Sequence, residues 1–222
     1  MQAGSTYNLQ SRAVLWDLDG TLVDSGELHW IAWRDAMAAE GVTITPAMFE
    51  ATFGWKNDPI LRRWLGDDTP DERKRRVADG KERAYRTALR AAGLTPLPGA
   101  REWVERLHAE GWKQAICSSA PRENIEAVLD VTGLGHDFEV IVAAEDVTLG
   151  KPDPQVFLLG AEKLGVPATR AIVVEDAEAG VEAARRAGMK SIGVNRRVPL
   201  HADIVVATLD ELGVDAFDRL LR

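Results

Sequence analysis

Short apolar runs alternate with amphipathic stretches through the second half of the chain. Each run is short enough to be a buried strand, and the stretches between them carry apolar residues at helical spacing. The predicted strands are 113–117, 140–143, 171–174, 191–194 and 204–206, and the predicted helices are 100–110, 121–132, 155–164, 179–187 and a last one from about Leu209. Strands that alternate with helices of about ten residues predict a parallel sheet covered on both faces.

One further apolar run, residues 13–16, lies far upstream of the others. From about residue 26 to residue 94 the pattern is helical throughout, with no strand between. Because the first strand precedes this block and the other strands follow it, the helices form an insertion over one edge of the sheet. The sequence therefore predicts an α/β fold: a Rossmann-like core from residues 1–25 and 95–222, with an inserted helical cap domain at 26–94.

Two carboxylates, Asp17 and Asp19, directly follow the first predicted strand, and Gly20 then turns the chain. In apolar surroundings two such acids repel each other and are poorly solvated, so they need a cation or a shared proton. Mg²⁺ meets this need because it prefers oxygen ligands and keeps positions for water and substrate phosphate. An Asp-rich turn is the ordinary alternative, but the full run DLDGTLVDS at 17–25 favours a functional site.

Groups that bind phosphate or metal also follow three later strands. They are Ser118, then Lys151, then the pair Glu175 and Asp176. The carboxyl ends of parallel strands share one edge of the sheet, so we expect these side chains to meet. Each has an ordinary alternative, such as a helix cap for Ser118 or a loop ion pair for Lys151. Their occurrence after successive strands favours one shared site.

These residue types suit phosphoryl transfer. The Asp17 carboxylate can attack phosphorus and form an aspartyl-phosphate. Asp19 can protonate the leaving oxygen and then activate water, which requires that its pKa be tuned upward. Ser118 can bind the phosphate oxygens, and Lys151 can offset their charge. The predicted metal ligands are Asp17, Asp19 through its backbone carbonyl, Glu175 and Asp176.

The chain resembles the haloacid dehalogenase superfamily, in the capped phosphatase subfamily close to β-phosphoglucomutase and phosphoglycolate phosphatase. The motifs that carry the resemblance are DLDGTLVDS at 17–25, Ser118-Ser119, GKPDP at 150–154 and VEDAEAG at 174–180. The resemblance implies a HAD-like core and the catalytic roles given above. It also implies a phosphate-binding set of Gly20, Thr21, Ser118 and Ser119.

Two other classes of protein share part of this chemistry. A haloalkanoate dehalogenase also uses an aspartate nucleophile at a strand end, but it needs neither Asp19 nor the pair Glu175 and Asp176. A receiver-type signalling module gathers acids, a hydroxyl and a lysine around Mg²⁺, but it is far shorter and has no helical insertion. Both therefore account for less of the sequence than a capped phosphatase does.

In this family the cap closes over the site, and its residues select the leaving group. His29 and Lys81 fall where sugar-phosphate mutases place a histidine near the acid/base and a lysine on the substrate. A packed histidine and a solvated lysine are the ordinary alternatives. We include both side chains among the predicted substrate-binding residues.

The cap loop at 53–58 bears on the choice between hydrolysis and mutase chemistry. Mutases carry an arginine there that binds a second phosphate, whereas this chain has Lys56 and Asn57. Lysine supplies charge but cannot form a bidentate guanidinium clamp. We therefore predict Mg²⁺-dependent hydrolysis of small phosphomonoesters, with a β-phosphoglucomutase-like activity as the alternative. Trp55 and Lys56 complete the predicted substrate-binding residues.

Charge and composition narrow the choice of partners and location. The net charge of −8 and the lack of a basic stripe argue against nucleic acid. No apolar stretch reaches membrane-spanning length, and the first twelve residues lack the apolar region of a secretory signal. The single cysteine, Cys117, fits a reducing compartment. We expect a cytoplasmic monomer or weak homo-oligomer that binds a small phosphorylated molecule and no membrane.

Overall fold

The computed structural model describes residues 11–195 and 199–222. The six strands are β1 (Ala13–Trp16), β2 (Lys113–Cys117), β3 (Val140–Val142), β4 (Ala171–Glu175), β5 (Lys190–Val194) and β6 (Ile204–Val206). The helices are α1 (Gly26–Ala39), α2 (Pro46–Glu50), α3 (Asn57–Leu65), α4 (Asp71–Ala92), α5 (Ala100–Ala109), α6 (Arg122–Thr132), α7 (Gln155–Leu164), α8 (Glu178–Arg186) and α9 (Ala216–Leu220). Residues 1–10, most of the segment predicted to lack a secretory signal, lie outside the described residues.

The six strands form one parallel sheet in the order β3-β2-β1-β4-β5-β6. The first strand is therefore central: Trp16 pairs with Ile116 of β2 on one side and with Val174 of β4 on the other. All four residues of β1 are buried, as expected for a strand flanked by helices on both faces. The predicted α/β fold with a Rossmann-like parallel sheet is confirmed.

Alternate residues of β1 enter apolar clusters on opposite faces of the sheet. Val14 and Trp16 pack with α5, α6 and α9 on one face, and Leu15 packs with α7 and α8 on the other. The indole Nε1 of Trp16 donates a hydrogen bond of 2.9 Å to Gln114 Oε1, and both side chains are buried. Core packing on both faces thus holds the end of β1 in place.

Helices α1 to α4 lie consecutively between β1 and α5, as the helical pattern predicted. They share an apolar cluster of their own, which includes Trp33, Met37, Phe49, Leu61 and Trp64. The long helix α4 also packs against α6, which flanks the sheet. The exact domain bounds, at 26–94 for the cap, stay a prediction.

The prediction of one helix from about Leu209 is wrong. Residues Leu209–Glu211 form a single 3₁₀ turn, Leu212 is extended, and α9 begins only at Ala216. The carbonyl of Leu209 accepts hydrogen bonds from the indole of Trp103 at 2.9 Å and from the N–H of Leu212 at 3.1 Å, so its local bond is that of a 3₁₀ turn. Among the described residues, no helix has the length and apolar character needed to cross a membrane.

Candidate active site

The predicted catalytic groups meet beyond the carboxyl ends of β1, β2 and β4. Asp17 follows β1 directly and extends its pairing, since its N–H donates to the Val174 carbonyl at 2.9 Å. The Lys151 ammonium donates to Asp17 Oδ1 and to Glu175 Oε1, each at 2.6 Å. Lys151 lies in the loop before α7, so one lysine links the ends of two neighbouring strands. All three side chains are buried.

Three carboxylates at this edge can hold a metal ion. Asp17, Glu175 and Asp176 each offer one oxygen, and these atoms lie within 4.8 Å of one another. A Cβ on Gly20, whose φ is +97°, would fall 2.0 Å from Asp176 Oδ2, and one on Gly180 would fall 1.9 Å from Glu175 Oε1. The two glycines therefore leave room for two of the carboxylates. Buried oxygen donors of this kind fit Mg²⁺.

The charges of this cluster shift the pKa values of Asp17 and Lys151. Burial raises the pKa of Asp17 well above its usual value, and the nearby charges of Glu175 and Asp176 raise it further, against the opposing effect of Lys151. Burial alone would lower the pKa of Lys151, but Asp17 and Glu175 raise it above its ordinary value. The Lys151 ammonium bonds to two of the three acids, Asp17 and Glu175, and a divalent cation would add positive charge among all three.

Asp19 faces a different set of partners, most of them in the cap. Its Oδ1 accepts a hydrogen bond from the Ser25 hydroxyl and lies 3.6 Å from His29 Nε2. The other ring nitrogen, His29 Nδ1, lies 2.9 Å from the ammonium of Lys81. The His29 ring stacks on Tyr85, with ring centroids 3.9 Å apart. His29 and Lys81 therefore form a buried path from α4 to Asp19.

The upward pKa shift expected for Asp19 is not found. Burial alone would raise this pKa, but the hydrogen bond and charge of His29, with smaller effects from Ser25 and Lys81, lower it below its usual value. The raised aspartate pKa belongs to Asp17 instead. The expectation was wrong because the hydrogen bond and charge of His29, which the resemblance placed near the acid/base, outweigh the effect of burial.

Only some of the residues predicted to bind phosphate line the cavity over Asp17. The Ser118 hydroxyl accepts a hydrogen bond of 3.1 Å from the Ala120 N–H and can still donate its own hydrogen. The Ser118 N–H is used by the sheet, and α6 begins four residues later, so Ser118 does not lie in a helical first turn. Ser119 lines the cavity over Asp17, whereas Gly20 and Thr21 do not.

The cap covers this group of residues. A cavity of about 90 Å³ is bounded by Asp17, Asp19, Ser118 and Lys151 from the sheet edge, and by His29, Lys81, Glu82 and Trp55 from the cap. It adjoins a cleft of about 1090 Å³ between the cap and the core. Trp55 lines both spaces and is 40% exposed. Lys56 lines the outer cleft, where its Nζ donates to the core carbonyl of Val147 at 2.8 Å.

The sequence analysis missed Glu82 and Asn124. Glu82, on α4, is only 5% exposed and accepts hydrogen bonds from Asn57, Lys81 and Asn124. The density of charge along α4 concealed it, since most charged side chains on such a helix are solvated. The buried positions on this helix are 74, 77, 81, 82, 85 and 89, and the place of 82 at helical spacing with 85 and 89 is the signal that could have shown Glu82 to face inward.

Comparison with known proteins agrees with this arrangement. The profile of the haloacid dehalogenase-like hydrolases matches residues 11–188. A β-phosphoglucomutase of Bacillus subtilis is 32% identical over 213 residues, which cover 92% of each chain. A phosphorylated carbohydrates phosphatase of Thermotoga maritima is 33% identical over 184 residues, covering 81% of this chain and 83% of the relative.

The solved structures include a β-phosphoglucomutase of Clostridium difficile that superposes with a TM-score of 0.87 at 26% identity. The superposition covers 96% of this chain and 97% of that one. Fold and sequence thus agree over nearly the whole length, and the predicted family is confirmed. The chain is an enzyme of the haloacid dehalogenase-like hydrolase family.

Proposed function

We propose that this enzyme is a Mg²⁺-dependent phosphatase that hydrolyses small phosphomonoesters, such as sugar phosphates, through an aspartyl-phosphate on Asp17. The observation that carries the proposal is the Asp17 carboxylate, held 2.6 Å from Lys151 among further buried acids in a capped cavity. The similarity to a phosphorylated carbohydrates phosphatase supports hydrolysis.

Each side chain has a role in the proposed reaction. Asp17 attacks phosphorus, while Ser118 and Lys151 bind the phosphoryl oxygens as negative charge shifts onto the leaving group. Asp17, Glu175, Asp176 and the Asp19 carbonyl would hold Mg²⁺, which supplies positive charge against the phosphoryl oxygens when bound. Water then attacks the phosphorus of the aspartyl-phosphate and regenerates Asp17.

Asp19 is the proposed acid and base. Its lowered pKa makes it a carboxylate at rest, suited to taking a proton from the attacking water. In the first step Asp19 must be protonated so that it can give a proton to the leaving oxygen. A substrate phosphate that carries a single negative charge can transfer its remaining proton to Asp19. His29, 3.6 Å from Asp19, orients this carboxylate.

The size of the cavity favours small substrates. About 90 Å³ over Asp17 leaves room for a phosphoryl group and few other atoms. The rest of a substrate would extend past Trp55 into the outer cleft. A covered site of this shape excludes a phosphate carried on a folded protein or a duplex.

A mutase is the second candidate, because β-phosphoglucomutases are among the similar proteins. A mutase must hold a second phosphate in the cap loop. Here Lys56 donates a hydrogen bond to the Val147 carbonyl, and Asn57 donates one to Glu82, each at 2.8 Å. The negative charge of Glu82 beside Asn57 disfavours a second phosphate at that place, which favours hydrolysis.

Phosphate release tests this proposal. The purified enzyme is incubated with p-nitrophenyl phosphate, fructose 1-phosphate, glucose 6-phosphate and β-glucose 1-phosphate, with Mg²⁺ or with EDTA. We expect release of inorganic phosphate that needs Mg²⁺, and no conversion of β-glucose 1-phosphate into glucose 6-phosphate. Glucose 6-phosphate as the main product would establish the mutase, and no reaction with any ester would reject both candidates.

A further inference from the structure

The Glu82 carboxylate lies where the cap meets the core. Its Oε1 accepts hydrogen bonds from Asn57 Nδ2 at 2.8 Å and from Lys81 Nζ at 3.0 Å. Its Oε2 accepts from Asn124 Nδ2 at 2.5 Å and from Lys81 Nζ at 3.1 Å. A buried carboxylate is stable only when it is paired in this way. Glu82 therefore joins three elements, namely α3 and α4 of the cap and α6 of the core.

The orientation of Asn124 is fixed from both sides. Its Nδ2 donates to Glu82, while its Oδ1 accepts a hydrogen bond of 2.8 Å from Arg86, which lies one turn along α4. Arg86 also pairs with Glu123 on α6 at 2.8 Å. Asn124 is only 1% exposed. Helices α4 and α6 are thus joined by specific polar contacts. These contacts can form only while the cap lies against α6.

The same carboxylate also holds the lysine that contacts the acid/base path. Lys81 is 2% exposed, and its ammonium bonds to both oxygens of Glu82 and lies 2.9 Å from His29 Nδ1. His29 Nε2 in turn faces Asp19. A movement of Glu82 away from Asn124 would therefore carry Lys81 with it and change the position of His29.

We propose that Glu82 is a positioning residue that couples closure of the cap to alignment of Asp19. Contact with Asn124 sets the position of Glu82, Glu82 holds Lys81, and Lys81 holds His29 against the Asp19 carboxylate. Transfer of a proton to the leaving group would then be efficient only while the cap is closed. This inference rests on the proposed role of Asp19 as acid and base.

The Glu82→Gln variant tests the inference. In this variant an amide nitrogen replaces one carboxylate oxygen and faces donors on Lys81 or Asn124. The hydrogen bonds that join α4 to α6 should therefore weaken, while the volume of the side chain hardly changes. A sugar phosphate needs a proton on its leaving oxygen, whereas p-nitrophenolate leaves without one. We expect kcat/KM to fall about tenfold or more for the sugar phosphate cleaved best, and less than about threefold for p-nitrophenyl phosphate.

Glu72→Gln is the matched control, because it makes the same exchange at an exposed position on the same helix. It should leave both kcat/KM values unchanged. A purely structural role for Glu82 would lower the two values by the same factor. Equal losses for the two substrates, or no loss for either, would overturn the proposal.

Asn124→Ala tests the link from the core side and serves if Glu82→Gln does not fold. It should also lower kcat/KM more for the sugar phosphate than for p-nitrophenyl phosphate. The double variant should be no worse than Glu82→Gln alone, because both act through one contact. Additive losses, or equal losses for the two substrates in Asn124→Ala, would contradict the coupling.

Amide hydrogen exchange separates this inference from the proposed function. In Asn124→Ala we expect faster exchange in residues 54–57 and in α4, with Glu72→Gln matching the unmodified enzyme. Unchanged exchange would show that Asn124 does not hold the cap. An enzyme that releases no phosphate would reject the proposed function, while the exchange result would still decide whether this link holds the cap.

Discussion

At the scale of single residues, the site contains acidic side chains that repel one another. Asp17 is buried near two other acids, and Lys151 only partly offsets them. Such an arrangement costs stability in the absence of a cation, and the same charge is what makes the site able to bind one. The loss of stability caused by these acids should therefore be measurable in thermal unfolding.

The Asp17→Asn variant should unfold at a higher temperature than the unmodified enzyme in EDTA at pH 8. The folded-state pKa of Asp17 lies above its unfolded value near 3.8, so this carboxylate destabilises the fold above the raised pKa and has no effect once protonated in both states. The advantage of the variant should shrink as the pH falls towards 4, and Mg²⁺ should also reduce it. Calorimetry tests this, and equal or lower stability of the variant at pH 8 would contradict it.

Gly20→Ala should weaken binding of Mg²⁺. The new Cβ would overlap Asp176 Oδ2, so the carboxylate must move. We expect the Mg²⁺ concentration for half-maximal activity to rise by about tenfold or more. Gly41→Ala is the control, because Gly41 also has a positive φ, +77°, but nothing lies within 4 Å of its added Cβ. If both variants need the same Mg²⁺ concentration, the close approach of Gly20 has no bearing on the metal.

The meeting of Asp17, Lys151 and Glu175 was predictable from the sequence because Asp17 and Glu175 stand at the ends of neighbouring parallel strands and Lys151 lies in the loop after β3. The resemblance also placed His29 near Asp19, but it did not give the contact of His29 with Lys81. His29 and Lys81 lie on α1 and α4, whose position over the sheet depends on tertiary packing. The lowered pKa of Asp19 and the role of Glu82 follow from that packing.

At the scale of elements, the end of β1 depends on a buried pair between neighbouring strands. Gln114 accepts from Trp16 and donates to the Val104 carbonyl of α5 at 2.8 Å. The pair ties β1, β2 and α5 together directly beneath the site. Apolar periodicity predicted that these strands and helices exist. It did not predict the break after Leu209, whose carbonyl accepts a hydrogen bond from Trp103, far away in the sequence.

Gln114→Leu should lower the free energy of unfolding by about 1–3 kcal/mol, because it leaves the Trp16 indole buried without a partner and removes one hydrogen bond from the Val104 carbonyl. Adding Trp16→Phe removes one of these groups, so the double variant should lose less than the sum of the two single losses. Urea unfolding of the three variants measures this. Additive losses would show that the pair has no joint effect.

At the scale of the whole molecule, the edge of the sheet holds the proposed reacting groups, and helices α1 to α4 cover them and supply most of the side chains around Asp19. The strand order places β1 at the centre, with β2 and β4 on either side, so side chains distant in the sequence converge on one point. The helical insertion and the sheet were predictable from pattern alone. The polar link between α4 and α6 was not, because neither helix shows it in its own sequence.

Trapping the phosphorylated enzyme tests the central claim most directly. Enzyme turning over a sugar phosphate with Mg²⁺ is quenched in acid and reduced with borohydride, which converts an aspartyl-phosphate into homoserine, and its peptides are examined by mass spectrometry. We predict homoserine at position 17, and none without substrate or in Asp17→Asn, which should release no phosphate. Turnover without this modification, modification at another aspartate, or phosphate release by Asp17→Asn would contradict the account.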